Sequence, residues 1–598
     1  MDLIRILTTV KSIITYILKK YILAMTIASS LLGAANTAAE ELTFKIAATS
    51  DVHGNFFPYD FIKMTPGNGS LARVATRVRQ LRDSLGNDRV ILLDNGDILQ
   101  GQPTAYYYNF IKTDVPHPTA RMLNYLSYDA QTIGNHDVET GHAVYDRYRA
   151  DLGNLPLLGA NVVDRSTGKP YLQPYAVIER DGVKVVVLGL LTPAIPAWLP
   201  ENLWSGLEFE DMVESARKWV PYILENEKPD LLVGLFHSGH DSGKMTGEWR
   251  ENASLLVADQ VPGFDMIFMG HDHTLYNSTD GKHPESKAVI LNPANSAGYL
   301  AEGEVTFTRN ADGKIVDKKV SGLLTPLNNL KPDSAFMQAF HPEQQEIKEF
   351  VSRRLGSSEG DFSVRDAYFG PSAFMTLLHD LQLAISGADI SLAAPLSFDA
   401  LIKKGDLRMS DMFTLYKYEN MLYTISMTGQ EIKDYLEMSY SLWTDVMKSA
   451  DDNLLLFSGE KTAAKGDYAK LLNPSYNFDS ASGIDYTVDV TKPQGEKINI
   501  ISMSDGTPFD PRKVYKVAVN SYRGNGGGDL LTKGAGIPHD QLKSRILSST
   551  DKDLRYYLIK EIEKRGSISP KVDTNWRFIP EDIVAPAARR DRKVLFGD

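Results

Sequence analysis

Short segments rich in His, Asp and Asn recur through the first half of the chain, each closing an apolar run: Asp51-Val52-His53, Gly96-Asp97, Gly134-Asn135-His136-Asp137, His237-Ser238-Gly239-His240 and Gly270-His271-Asp272-His273. Their carboxylates, imidazoles and amide oxygens suit borderline to hard divalent ions such as Mn²⁺, Zn²⁺ or Fe²⁺. Asp51, His53, Asp97, Asn135, His237, His271 and His273 supply enough donors for two adjacent ions, and Asp97, with two oxygens to share, is the natural bridge. Two ions about 3.5–4 Å apart clamp the attacking and leaving oxygens of an in-line displacement, and they lower the pKa of a shared water from about 15.7 to about 7. That is equipment for phosphoester hydrolysis. A lone His-x-His is more often a surface or packed pair; an ordered set of ligand-bearing turns is hard to obtain by chance.

Such turns need strands to carry them. Val90 to Leu93, Val183 to Leu191, Leu231 to Phe236 and Met266 to Met269 have strand length and β-branched content. Between them Leu71, Val74, Val78 and Leu81 share one helical face behind Gly69-Ser70, and Glu210 to Asn226 reads as a surface helix. The alternation predicts an α/β architecture with ligands at the carboxyl ends of strands. Pro332, Pro342 and the polar helical pattern from Glu343 to Leu355 predict a linker helix. A second α/β pattern follows, with helices at Phe374 to Ile385, Gln430 to Trp443 and Asp553 to Lys564, and strands at Ile390 to Ala394, Thr487 to Val490, Ile498 to Met503 and Val514 to Val519. The expected division is 1–39 signal peptide, 42–330 first domain, 331–360 linker, 361–580 second domain and 581–598 a charged, loosely held tail.

At 598 residues the chain exceeds one core, and its 43% hydrophobic content is that of a globular protein. A net charge of −12 argues against a nucleic-acid polymer as ligand. The absence of cysteine removes thiolate zinc sites, disulfides and Cys nucleophiles. Lys19-Lys20, the apolar stretch Tyr21 to Gly33 and the small residues Ala34, Ala35, Ala38 and Ala39 have the three parts of a cleaved secretory signal, with an uncleaved anchor as the alternative. An exported, periplasmic protein without a stable membrane partner is expected, acting as a monomer on small molecules.

The ordered pattern Asp51-x-His53, Gly96-Asp97, Gly134-Asn135-His136, His237, Gly270-His271-x-His273 resembles the calcineurin-like metallophosphoesterases. The resemblance implies a four-layer αββα sandwich joined by the linker helix to a C-terminal α/β domain of 5′-nucleotidase type. It assigns Asp51, His53, Asp97 and His273 to one ion and Asp97, Asn135, His237 and His271 to the other. It also makes His136 a catalytic non-ligand that stabilises or protonates the leaving oxygen. Where the nucleotidase branch has an Asp to orient that histidine, this chain has Glu139, with Asp137 as an adjacent alternative. In the second domain Asn520 to Asp529 resembles the family's substrate loop: Gly residues admit close approach, Tyr522 can stack a base, and Asn525 or Asp529 can hold a ribose hydroxyl. The second aromatic of a base sandwich is either Tyr476 or Phe478.

Tyr59-Asp60, His273 in place of a frequent Gln, the Arg-free stretch Ala394 to Asp399 and Asn161 to Pro170 resemble 2′,3′-cyclic-nucleotide 2′-phosphodiesterases more than 5′-nucleotidases. The expected reaction opens the cyclic ester to a 3′-nucleotide and then dephosphorylates it. The alternatives are a 5′-nucleotidase or nucleotide-sugar hydrolase and, in another class, a non-enzymatic nucleotide-binding protein.

Overall fold

The computed structural model describes residues 2–32, 40–241, 243–280, 287–458 and 470–597. Residues Asp2–Leu32 form one helix. The expected cleavage region at 33–39 lies outside the described residues. Among those described, no helix is long and apolar enough to cross a membrane.

Two six-stranded sheets face each other in the first domain. Strand Glu40–Thr49 runs parallel to Val90–Asp94 and antiparallel to Tyr299–Arg309 in one sheet. In the other, Val183–Leu191, Leu231–His237 and Met266–Met269 run parallel. Their facing surfaces bury Phe44, Ile46, Leu93, Val187, Val233 and Phe268 in a shared core. Helices cover the outer faces. Leu71–Leu85 begins where the Ser70 side chain accepts from the Arg73 amide, and it buries Leu71, Val74, Val78 and Leu81 at helical spacing. Met212–Asn226, capped by Asp211, packs Val213, Val220 and Ile223 on the opposite side. The result is the four-layer αββα sandwich.

The connection contains two helices, Ser334–Ala339 and His341–Ser352. The helical pattern expected to reach Leu355 stops earlier, because Arg354–Ser358 pairs with Gly405–Arg408 as a strand of the second domain. That domain has a five-stranded sheet in the order Ser480–Ser482, Ile390–Ala393, Val514–Asn520, Met421–Thr428, Ile546–Asp553. Helix Gly429–Trp443 is closed at its start by a Thr428/Glu431 capping box. The tail is a correction. Glu581–Phe596 is a helix that buries Val584, Ala587, Leu595 and Phe596, and the buried Asp591 carboxylate accepts from the Leu454 and Leu455 amides at 2.7 and 3.0 Å. The domains also interlock: Tyr106 of the first joins the apolar cluster of the second, with the Arg555 guanidinium 4.8 Å from its ring centre.

His379, buried in helix Ala373–Ser386, lies between the Ser391 and Ser480 hydroxyls at 2.9 and 3.1 Å. Burial pushes its imidazole down from 6.5 to about 4. Between those values the unfolded chain binds a proton that the folded chain refuses, so stability falls as pH drops through that window. The expected loss is about 3 kcal/mol from this group. Urea unfolding at pH 7 and pH 4 checks it, with His379→Asn expected to show the smaller acid sensitivity.

Candidate active site

The ligand-bearing turns follow strands whose carboxyl ends share one edge of the sandwich. Asp51 lies just beyond Glu40–Thr49, Asp97 beyond Val90–Asp94, and Asn135 beyond Ala130–Thr132; His237 ends its strand, and His271 follows Met266–Met269. Asp51, His53, Asp97, His271 and His273 all adopt positive φ, at 50, 49, 55, 71 and 56°. That backbone is uncommon for residues with a side chain, and its concentration here marks a site where geometry is held against local preference. Two glycines permit the close approach. A Cβ on Gly134 would stand 2.1 Å from Asp97 Oδ1, and one on Gly270 would stand 2.1 Å from Ser50 Oγ.

Two groups of donors result, Asp51 with His53 and His273, and Asp97 with His237 and His271. In the first, His273 Nε2 is 3.3 Å from Asp51 Oδ1 and 3.0 Å from His53 Nε2. In the second, His237 Nε2 is 3.2 Å from Asp97 Oδ2. Asn135 Oδ1 lies 3.0 Å from His237 Nε2 and 2.8 Å from His271 Nδ1. The rings are oriented from behind: His53 Nδ1 faces the Gln100 carbonyl at 3.2 Å and His237 Nδ1 the Asn95 carbonyl at 2.6 Å. A carbonyl accepts only from N–H, so in the neutral form of each ring the Nε2 lone pair points inward.

These residues fit divalent ions. Asp97 Oδ2 is buried with no well-aligned hydrogen bond, only His237 Nε2 at 3.2 Å, which is costly unless a cation satisfies it. Burial would raise both carboxylates, yet His237 and His136 hold Asp97 well below its usual range, and His273 and His237 bring Asp51 to about 2. Against burial, the Asp97 and Asp51 charges push His237 up to about 10. A proton thus supplies positive charge where the donor set calls for a cation.

His136 stands beside the two groups. Its Nδ1 is 2.5 Å from Glu139 Oε2, and its amide donates to Asp97 Oδ1 at 2.8 Å. Burial opposes its charge, but Asp97 and Glu139 raise it to about 9. Asp137, the alternative partner, is engaged elsewhere: its carboxylate accepts from the amides of Asp97, Ile98, Leu99 and Gly134 at 2.8–3.0 Å. It shapes the Asp97 loop and does not orient His136.

The donors open onto a cleft of about 650 Å³ lined from both domains, by His136, His271 and His273 on one side and by Tyr418, Tyr476, Tyr522 and Asp529 on the other. Arg523, buried behind it, fastens the two aromatic segments together through Asp479 at 2.9 and 3.1 Å, the Tyr476 carbonyl at 2.5 Å and the Gly527 carbonyl at 2.8 Å. Phe478 is a correction. It is fully buried and stacks on Trp443 at 5.3 Å, so it offers no face to the cleft. Tyr476 and Tyr522 are perpendicular, with centroids 6.5 Å apart, so they present a face and an edge and not the expected parallel pair. Asn525 does not line the cleft; its amide makes a long 3.5 Å contact to the Trp198 carbonyl. Asp529 does line it, with one oxygen held by Lys533 at 2.8 Å.

Sequence reasoning passed over Asp272, whose Oδ2 accepts from the His240 amide at 2.9 Å and also meets that ring at 2.5 Å, bracing two ligand loops. It also passed over Glu251, 3.2 Å from His271 Nε2. Asp272 could have been read from its place between two histidines; Glu251 carries no such signal.

Residues 44–275 match the calcineurin-like phosphoesterase family and residues 354–533 the 5′-nucleotidase C-terminal domain. Across an alignment 620 positions long, the chain is 28% identical to the trifunctional nucleotide phosphoesterase protein YfkN of Bacillus subtilis, covering 94% of this chain and 40% of that longer protein. It is 27% identical to a 2′,3′-cyclic-nucleotide 2′-phosphodiesterase/3′-nucleotidase of Haemophilus influenzae, covering 90% of this chain and 88% of that one. Among solved structures, a candidate 5′-nucleotidase from Staphylococcus aureus superimposes with a TM-score of 0.73 at 21% identity, over 90% of this chain and 99% of that one, which shows a common fold. The chain is a metal-dependent phosphoesterase in which a calcineurin-like phosphoesterase domain is followed by a 5′-nucleotidase C-terminal domain.

Proposed function

We propose that this protein opens 2′,3′-cyclic nucleotides to 3′-nucleotides and dephosphorylates these to nucleosides. The observation that supports it most is the convergence of the Asp51 and Asp97 donor groups on a cleft whose far wall, in the other domain, is aromatic. Two divalent ions would be held by Asp51, His53, Asp97 and His273, and by Asp97, Asn135, His237 and His271. When bound, they activate water and polarise the phosphoryl oxygens. The chain's own residues do the rest. Tyr522, with Tyr476 edge-on beside it, receives the base. His136, held by Glu139, places a proton at the leaving 2′ oxygen. Among the described residues no arginine lines the cleft, and its positive charge comes from Lys244, Lys417 and His136, which suits a singly charged cyclic ester better than a pyrophosphate. The relatives named as cyclic phosphodiesterases support the same reading. We also infer export, directed by the segment up to residue 39, domain limits near residues 42, 330 and 360, and action as a monomer.

The test is a substrate panel on metal-depleted protein restored with Mn²⁺, Zn²⁺ or Mg²⁺. 2′,3′-cAMP and 3′-AMP should outpace 5′-AMP and UDP-glucose; a higher kcat/KM for 5′-AMP rejects the assignment. In the same panel Tyr522→Ala should raise KM for 2′,3′-cAMP about 5- to 100-fold, the equivalent of one lost base stack. It should leave bis-p-nitrophenyl phosphate, which has no base, within about twofold. Equal losses on both substrates would place Tyr522 outside base recognition.

A further inference from the structure

Glu251 belongs to none of the ligand motifs, yet it is 6% exposed and closes the hairpin formed by Met245–Thr246 and Trp249–Arg250. Its Oε1 stands 3.2 Å from His271 Nε2, while the other nitrogen of that ring faces Asn135 Oδ1 at 2.8 Å. A carboxylate accepts only from N–H. Glu251 therefore favours the tautomer with its proton on Nε2; the Nδ1 lone pair then stands beside the Asn135 amide oxygen, and the two aim at the space shared with Asp97 and His237, where a cation satisfies both.

The main chain of the same residue reaches a second ligand loop. Its carbonyl accepts from Ser238 Oγ at 3.1 Å and from Thr192 Oγ1 at 2.7 Å, and Ser238 directly follows His237. The neighbouring Asn252 side chain accepts from the Gly239 amide at 2.9 Å. On the cleft side the carboxylate is held by Lys244 Nζ at 2.6 Å and by the Thr246 hydroxyl. The hairpin also meets the second domain, where Trp249 packs edge-on against His539 at 5.4 Å.

We propose that Glu251 is the positioning residue of one ion position, the one formed by Asp97, Asn135, His237 and His271, setting the His271 tautomer with its side chain and the His237 loop with its carbonyl. The proposal rests on the two-ion reading above. It assigns Glu251 no role at Asp51, His53 or His273, which the residue does not touch.

Calorimetric titration of metal-free full-length protein with Mn²⁺ tests it. The wild type should show two binding events. In Glu251→Leu, of similar volume but without acceptor oxygens, one event should weaken about 10- to 100-fold while the other keeps its Kd. Glu251→Gln returns one acceptor oxygen and should recover part of that loss; it also serves should the leucine variant fail to fold. Unchanged affinity for both ions in these variants overturns the proposal, and so does equal weakening of both, which would mark a merely structural residue. A wild type that takes up a single ion overturns the two-ion reading itself and the proposal with it.

Discussion

Asp97→Asn should lower kcat/KM for 2′,3′-cAMP about a thousandfold, the equivalent of ~4 kcal/mol of lost transition-state stabilisation. The substitution keeps the shape of the side chain and removes its charge. Asp97 sits at φ 55°, a left-handed conformation that Asn tolerates better than any other residue with a side chain except Asp, so the loop should hold. The retained Oδ1 can still accept from the His136 amide. What disappears is the anionic Oδ2, buried and 3.2 Å from His237 Nε2. In the proposed site the Asp97 carboxylate would contribute to both ion positions, so metal analysis of Asp97→Asn should show fewer than two ions per chain. Near-UV circular dichroism should match the wild type. Hydrolysis at wild-type rate in this variant would remove the metal assignment altogether.

The same residue shows how much of the molecule is legible from its sequence. Asp97 closes an apolar strand and follows a Gly, and the other proposed ligands likewise sit where apolar runs end, so residue types and spacing alone point to the ligand set. The elements beneath it are readable for the same reason. Ser70 before the 3.6-residue spacing of Leu71, Val74, Val78 and Leu81 places a helix start, and unbroken apolar runs such as Met266–Met269 place buried strands. Illegibility begins where tertiary contact decides. Tyr476 and Phe478 have equal standing as aromatics two positions apart; only the Trp443 face under Phe478 separates core from cleft. Glu251 lies in a hairpin with no periodic signal, and its importance exists only once His271 folds against it. The segment after Pro580 reads as a charged tail because Arg589, Arg590, Asp591, Arg592 and Lys593 mask sparse apolar positions. Its Asp591 serves backbone amides more than a hundred residues earlier in sequence, a partnership no local pattern announces.

His136→Asn should cost about 10²- to 10⁴-fold in kcat on 2′,3′-cAMP, the range of a positioned general acid. The loss should shrink to a few fold on bis-p-nitrophenyl phosphate. A ribose alkoxide is a poor leaving group that needs a proton as the bond breaks, whereas p-nitrophenolate leaves unaided. An inert structural histidine would affect both substrates alike, so the ratio of the two losses, and not either one alone, identifies the role. Glu139 supplies the matching pH test. Its carboxylate, 2.5 Å from His136 Nδ1, together with Asp97 raises the imidazole to about 9 against the opposing effect of burial. The acid form therefore exists below that value and is lost as pH rises through it, giving kcat an alkaline limb. Cations held nearby draw the limb downward from 9, but the direction of the Glu139 effect is the same with or without them. Glu139→Gln removes one of the two stabilising charges, so its alkaline limb must lie at lower pH than that of the wild type, with kcat on the acid side reduced by much less than in His136→Asn. A pH–rate profile of Glu139→Gln that superimposes on the wild type would leave the pair in contact but without a function in proton transfer, and the leaving oxygen would have to take its proton from solvent.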